Sequence, residues 1–226
     1  MREIIVDTET TGLNFRAGDR VIEVGCVELI NHVPTGKTLQ FYCSVNKAID
    51  VGAMKIHGIT NDFLRDHPPF EDSVEPFLNF LKDDILIIHN ADFDIGFINN
   101  ELRILDRKPL NNKTIDTVVL ARKTLNTRVA NLDYLCRRFD IDLSDRSLHG
   151  ALLDSHLLAE VYLELKGGKQ ISMNLNSNKA DKTTKNEASK KIDLNLFKIK
   201  ASVDEIQKHK TQRDKIKNSL WGKIDY

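Results

Sequence analysis

The stretch that most constrains this chain is Ile4–Gly12, read as IIVDTETTG. Its apolar, β-branched start predicts a buried strand over Ile4–Asp7, and that strand runs straight into two carboxylates, Asp7 and Glu9. Strand side chains alternate between faces, so these two point the same way, about 6.6 Å apart along the strand. Burying two like charges side by side is costly unless something positive lies between them. Whatever fold forms must bring a positive group to the end of this strand.

The 226 residues suffice for one sizeable domain plus an appendage, and 41% hydrophobic with 29% charged residues is ordinary soluble composition. No run approaches the roughly 18 apolar residues of a membrane span, and MREIIVDTE does not read as a signal peptide. Cys26, Cys43 and Cys136 are widely spaced and odd in number, which suits a reducing cytosol and offers no zinc pattern, so a cytoplasmic location is expected. The net charge of zero hides an asymmetry: residues 169–226 carry 14 Lys/Arg against 7 Asp/Glu, leaving 19 against 26 in residues 1–168. A negative body suits a nucleic-acid function only with bound cations or a basic partner.

Residues 1–168 read as one α/β domain. Strands are expected at Ile4–Asp7, Val21–Ile30 and Leu39–Val45, as an antiparallel meander joined by GLNFRAGDR and NHVPTGK. A helix over Val74–Lys82, a strand at Ile85–Ile88, a helix over Ile95–Leu105 and a strand-like KTIDT follow. Helices near Val118–Leu125 and Leu132–Phe139 lead to a final helix at Ala151–Lys166, stopped by Gly167-Gly168. Residues 169–201 contain NSNKADKTTKNEASKK, too polar to bury a core, and read as a flexible linker. In the last segment, 202–226, Ser202 and Glu205 form a candidate capping box.

Two further segments place ionisable groups in unexpected company. LIIHNADFDIGF puts Asp94 just after a strand, at the start of a helix. In the last helix Gly150, Leu158, Val161 and Leu165 all lie within about 40° of Asp154 at 100° per residue, so Asp154 sits mid-stripe on the apolar face, where it needs a partner. His149 would lie roughly 140° round if helical, and is placed instead on the loop entering the helix. Asp7, Glu9, Asp94 and Asp154 are thus candidates for one buried cluster, with no interior Lys or Arg as an evident counter-ion. Hard oxygen ligands in that number suit Mg²⁺ or Mn²⁺, and two such ions can clamp the attacking and leaving oxygens of a phosphoryl displacement. His149 is suited to take a proton from an attacking water. His89, Asn90, Asp92, Asp116 and His156 read as structural or solvated.

VDTETTG, HNADFD and HGALLD resemble the three motifs of the DEDD exonuclease superfamily, in the subclass with a histidine five residues before the last Asp. KIHGITNDFLRDHPPF and HGALLDSHLLAEVYLELKGG extend the similarity, from about Glu3 to Gly168, to the epsilon proofreading subunits of bacterial DNA polymerase III. The resemblance implies a ribonuclease H-like fold, a mixed central sheet flanked by helices with a flexible C-terminal tail. It implies a 3′–5′ exonuclease acting on DNA 3′ ends, with Asp7, Glu9, Asp94 and Asp154 as ligands to two divalent cations and His149 as general base. Asp7, Glu9, Asp154, Thr10, Thr11, Gly12 and His57 would bind the terminal nucleotide. The epsilon pattern often has Glu five residues before that His; here Gly52 stands there, and that contact is not carried over.

QISMNL, with Gln170, Met173 and Leu175, resembles the short peptides that dock on the sliding clamp. The segment around Trp221 resembles the part of epsilon that binds the polymerase alpha subunit, and an isolated Trp in a polar tail is a natural anchor. A linker between two anchors would keep the nuclease near the primer end. Two alternatives stay open: an exoribonuclease or repair trimming enzyme on the same fold, and a subunit that mainly stabilises the polymerase.

Overall fold

The computed structural model describes residues 1–144, 146–167 and 202–215. Gln170, Met173, Leu175, Trp221 and the whole of the expected linker, 169–201, lie outside them. The chain divides into two units, Met1–Asn174 and Leu175–Tyr226.

In the first unit, Arg2–Thr10 (β1), Val21–Ile30 (β2) and Val33–Tyr42 (β3) form the expected antiparallel meander. Two short helices follow, Val51–His57 (α1) and Asn61–Leu64 (α2), then Phe70–Leu81 (α3), Ile85–Ile88 (β4) and Ala91–Ile104 (α4). Thr114–Asp116 (β5), Thr117–Leu125 (α5), Leu132–Arg138 (α6) and Ala151–Leu165 (α7) complete it. The sheet order is β3-β2-β1-β4-β5, with β4 and β5 parallel to β1. On one face Ile4, Val6, Val24 and Cys26 pack against α3 and α4; on the other Ile5, Val27 and Leu29 pack against α5, α6 and α7. This is the mixed sheet flanked by helices that the sequence predicts. In the second unit Val203–Asp214 forms α8, where Ser202 Oγ accepts from the Glu205 N–H and the Glu205 carboxylate accepts from the Ser202 N–H at 2.8 Å, the expected capping box. Among the described residues no helix is long and apolar enough to cross a membrane.

Four differences from the expected elements have physical causes, the first being that α3 starts at Phe70 rather than Val74, with Pro69 at its N-cap. β3 spans Val33–Tyr42 rather than Leu39–Val45, because Asn31 and His32, at φ 51° and 64°, already close a two-residue hairpin turn. Pro34 and Gly36, which look like turn residues, are tolerated on an exposed edge strand. α4 starts at Ala91, four residues earlier than expected, since the Asp116 carboxylate accepts from the N–H groups of Asn90 and Ala91. α1 and α2 leave no readable period; they exist because Ile49, Ile59 and Leu64 close a small separate core with Ile22.

Candidate active site

The site lies at the C-terminal end of β1, where the sheet's two faces meet different helices. Asp7 pairs with Gly25 across β1 and β2, and Glu9 pairs with Glu23. A Cβ on Gly25 would sit 2.3 Å from the backbone of Ala151 and Leu152, so the first turn of α7 rests directly on β2 at this point. Ser155 Oγ locks the contact by donating to the Gly25 carbonyl at 3.0 Å. That close approach brings the buried Asp154 beside the two strand carboxylates: Glu9, Asp154 and His149 offer ligand atoms all within 4.8 Å of one another.

Asp94 arrives from the opposite face. Thr8 alternates away from Asp7 and Glu9, and its buried Oγ1 donates to Asp94 Oδ1 at 2.7 Å. Asp116, which also caps α5 through the Val118 N–H, fixes the start of α4. Asp94 therefore reaches the cluster around the end of β1, on a tether that nothing in the sequence pattern announces.

Electrostatics divide the four carboxylates into three and one. Burial raises Asp7 well above the ordinary carboxylate range, and the charges of Asp94, Glu9, Asp154 and Glu23 raise it further. Burial pushes Glu9 up to about 8, aided by Asp154, Glu23 and Asp94. Asp94 is pushed up to about 7 by burial, against the lowering pull of the Thr8 hydrogen bond. Glu23, itself buried, accepts from Gln40 Nε2 at 2.8 Å and adds its charge opposite Glu9. These groups cannot all ionise at neutral pH without positive charge among them. The donor set, all carboxylate oxygen with one imidazole, fits hard divalent cations.

Asp154 is the exception, and it corrects the expectation that no interior cation is at hand. Burial would raise its carboxyl, but His149 and Arg146 hold it below the ordinary value. Arg146, with a side chain only 6% exposed, is bidentate on Asp154: Nε to Oδ1 at 2.6 Å and Nη2 to Oδ2 at 2.7 Å. Its Nη1 pairs with Asp133 on α6, and Nη2 lies 3.1 Å from His149 Nδ1. An Arg in the loop SDRSLHG carries no sequence signal for this role. Its side chain turns inward only because α6 and α7 place two carboxylates where it can reach both.

His149 stands on the loop before α7, as expected, 45% exposed, with Nδ1 3.2 Å from Asp154 Oδ2. Its backbone N–H donates to the Ile56 carbonyl at 3.0 Å, which ties the loop to the end of α1 and near the buried His57. His57 Nδ1 accepts from the Ile59 N–H, and burial lowers its basicity. Thr10, Thr11 and Gly12 are buried where β1 leaves the sheet. The Thr10 hydroxyl donates to the Gly12 carbonyl at 2.6 Å, and the Thr11 hydroxyl donates to Asp19 and accepts from the Arg20 N–H. Both hydroxyls are engaged in shaping this loop. His89 Nδ1 pairs with Thr117 Oγ1 and Asp92 is exposed, consistent with structural and solvated roles. A cleft of about 400 Å³ opens beside the carboxylates, bounded by Asp7, Asp154, His149, Arg146 and Arg137.

Comparison with known proteins fits this geometry. The RNase_T family, described as Exonuclease, matches residues 4–162. DNA polymerase III subunit epsilon of Rickettsia prowazekii (strain Madrid E) is 46% identical over 224 residues, covering 96% of this chain and 97% of that protein. The subunit of the same name from Salmonella typhimurium is 45% identical over 176 residues, 74% of this chain and 72% of that protein. Among solved structures, the nuclease domain of 3′hExo, a DEDDh family member bound to rAMP, superposes with TM-score 0.64 at 20% identity, covering 74% of this chain and 92% of that one. Exonuclease X in complex with 5′ overhanging duplex DNA gives 0.58 at 23%, covering 72% and 90%. At those identities the two structures speak to fold alone, the ribonuclease H-like exonuclease fold.

Proposed function

This chain belongs to the RNase_T exonuclease family, among the DNA polymerase III epsilon subunits, and we propose how its site performs 3′–5′ proofreading. The reaction is metal-dependent hydrolysis of the terminal phosphodiester of a DNA 3′ end, removing a misincorporated nucleotide. In our reading Asp7, Glu9 and Asp154 hold one divalent cation and Asp94 completes the site of a second, either Mg²⁺ or Mn²⁺. The observation that carries this reading is the convergence of four carboxylates from three elements, three of them with raised affinity for protons, on one end of β1.

Bound cations would supply the Lewis-acid chemistry, polarising the scissile phosphate and lowering the pKa of the attacking water. The chain's own part is placement and proton transfer. His149, half exposed at the mouth, takes the proton from that water as general base. Asp154, beside its ring, stabilises the imidazolium that forms. Thr10, Thr11, Gly12 and His57 bind the terminal nucleotide, with the two hydroxyl-tied loop residues presenting backbone rather than free side chains. Preference for a mismatch follows from the lower cost of unpairing a wrong terminus.

The setting is a bacterial replicase in the cytoplasm. Trp221 and the segment 202–226 bind the polymerase alpha subunit, and Gln170, Met173 and Leu175 dock on the sliding clamp, with 169–201 as linker. Support for this comes from the sequence patterns and from the Rickettsia prowazekii subunit, whose similarity covers 96% of this chain.

The deciding experiment is Mn²⁺- or Mg²⁺-dependent release of mononucleotides from a 3′-labelled primer–template, matched against mismatched. Wild type should prefer the mismatch, and Asp7→Ala and His149→Ala should lose most turnover while remaining folded. Near-normal activity in either variant would remove that residue from its role, and faster loss of single-stranded RNA would redirect the assignment to RNA.

A further inference from the structure

The proposed metal ligand Asp154 already has a full-strength cationic partner. Arg146 presents its fork edge-on to both Asp154 oxygens, at 2.6 and 2.7 Å, the bidentate geometry that uses the carboxylate most completely. The guanidinium is largely buried, anchored from behind by Asp133, and its Nη2 also touches His149 Nδ1. A divalent cation held by Asp154 would draw on the same two oxygens and stand within a few ångströms of a fixed positive charge. In a low-dielectric pocket such neighbours repel strongly. Binding of one therefore weakens the other, and the penalty is reciprocal.

We propose that Arg146 is a positioning residue that competes with the divalent cation for Asp154, holding Asp154 and His149 together and setting how much cation the site requires. The proposal rests on Asp154 being a ligand, the reading given above. The contacts make it directional. Losing Arg146 should loosen the loop that carries His149, because this side chain is its link to α6 and α7. The same loss should strengthen cation binding, because both oxygens become available. A purely structural residue would weaken both.

The test is a thermal-melt titration of the full-length, EDTA-stripped protein with Mn²⁺ alone, comparing wild type with Arg146→Met, Arg146→Lys and Arg137→Met. Arg137 faces the same cleft but is 74% exposed, and its carboxylate partner is Asp133. Arg146→Met should melt lower than wild type without Mn²⁺, yet reach half-saturation at a Mn²⁺ concentration roughly fivefold or more below wild type. Arg146→Lys, a point charge without the fork, should fall between them. Arg137→Met should move half-saturation little, since an exposed charge is screened. Unchanged or weaker Mn²⁺ binding in Arg146→Met would overturn the competition, as would an equal gain in Arg137→Met. A wild type whose melting ignores Mn²⁺, or an Asp154→Asn variant that still responds fully, would instead overturn the metal-site reading beneath it. If Arg146→Met is too unstable to melt cooperatively, equilibrium dialysis of Mn²⁺ against Arg146→Lys decides the direction.

Discussion

At the residue scale Asp7, Glu9 and Asp94 are kept from ionising chiefly by burial, with neighbouring acid charges adding to it, and this makes cation binding and proton release one process. Glu9 at about 8 and Asp94 at about 7 hold protons in the fold that an unfolded chain would have lost near pH 4 to 5. A raised acid stabilises the fold below its unfolded pKa, and that contribution is lost as pH climbs toward its folded value. In EDTA the melting temperature should therefore fall between about pH 5 and pH 8. With saturating Mn²⁺ the ligands are held ionised, and the fall should shrink or reverse. Melts across pH with and without Mn²⁺ check this, and parallel curves would show that the carboxylates do not bind the ion. Thr8→Val leaves Asp94 without its donor and should cost about 1 kcal/mol of stability. It should also raise the Mn²⁺ needed for half-saturation, while Thr8→Ser keeps the wild-type value. The four carboxylates and His149 were legible in sequence because each sits in a short motif whose spacing fixes its face. Thr8 and Arg146 were not, since a hydroxyl on the far face and a loop guanidinium acquire their roles only when distant elements meet them.

At the element scale the decisive object is the crossing of α7 over β2. Asp154 reaches Asp7 only because residue 25 has no side chain. Gly25→Ala would drive a methyl to 2.3 Å from the α7 backbone, where neither strand nor helix can yield cheaply. Overpacking of this kind costs about 1–3 kcal/mol. The catalytic loss should be far larger, on the order of 10²-fold, because an ångström of displacement at Asp154 spoils the site. Turnover measured well below the melting temperature separates the two effects, and an activity loss no greater than that of an exposed Val33→Ala control would refute the geometry. The final helix was readable from its apolar stripe, as were β1 and β2 from their β-branched runs. The start of α4 was not, being fixed by Asp116 from another strand, whereas that of α3 had a readable signal in Pro69 just before it. The burial of Glu23 was hidden for the same reason, because its partners Gln40 and Tyr42 belong to β3.

At the scale of the whole molecule, the proposed functions divide along the chain as charge does. The carboxylate site, its tethers and the Arg146 lock all lie within residues 7–154, and the sheet and helices that hold them close by Leu165. The excess of 14 basic over 7 acidic residues lies after residue 168. A chain ending at Gly168 keeps every described contact that positions the carboxylates, so its melting temperature should shift by no more than about 4 °C and its rate on a short single-stranded DNA should stay within about twofold of full length. It loses Trp221 and the segment proposed to bind the polymerase. Co-elution with the alpha subunit should vanish, and removal of mismatches during synthesis should fall much more than hydrolysis of free strands, because tethering no longer concentrates the nuclease at the primer. Trp221→Ala in the full chain should reproduce the loss of co-elution alone. If the truncated chain still co-elutes, the anchor lies in the nuclease domain, and its exposed apolar residues become the surface to mutate. If free-strand hydrolysis collapses with the tail, the basic segment binds DNA directly, and the negative body would then depend on it for substrate.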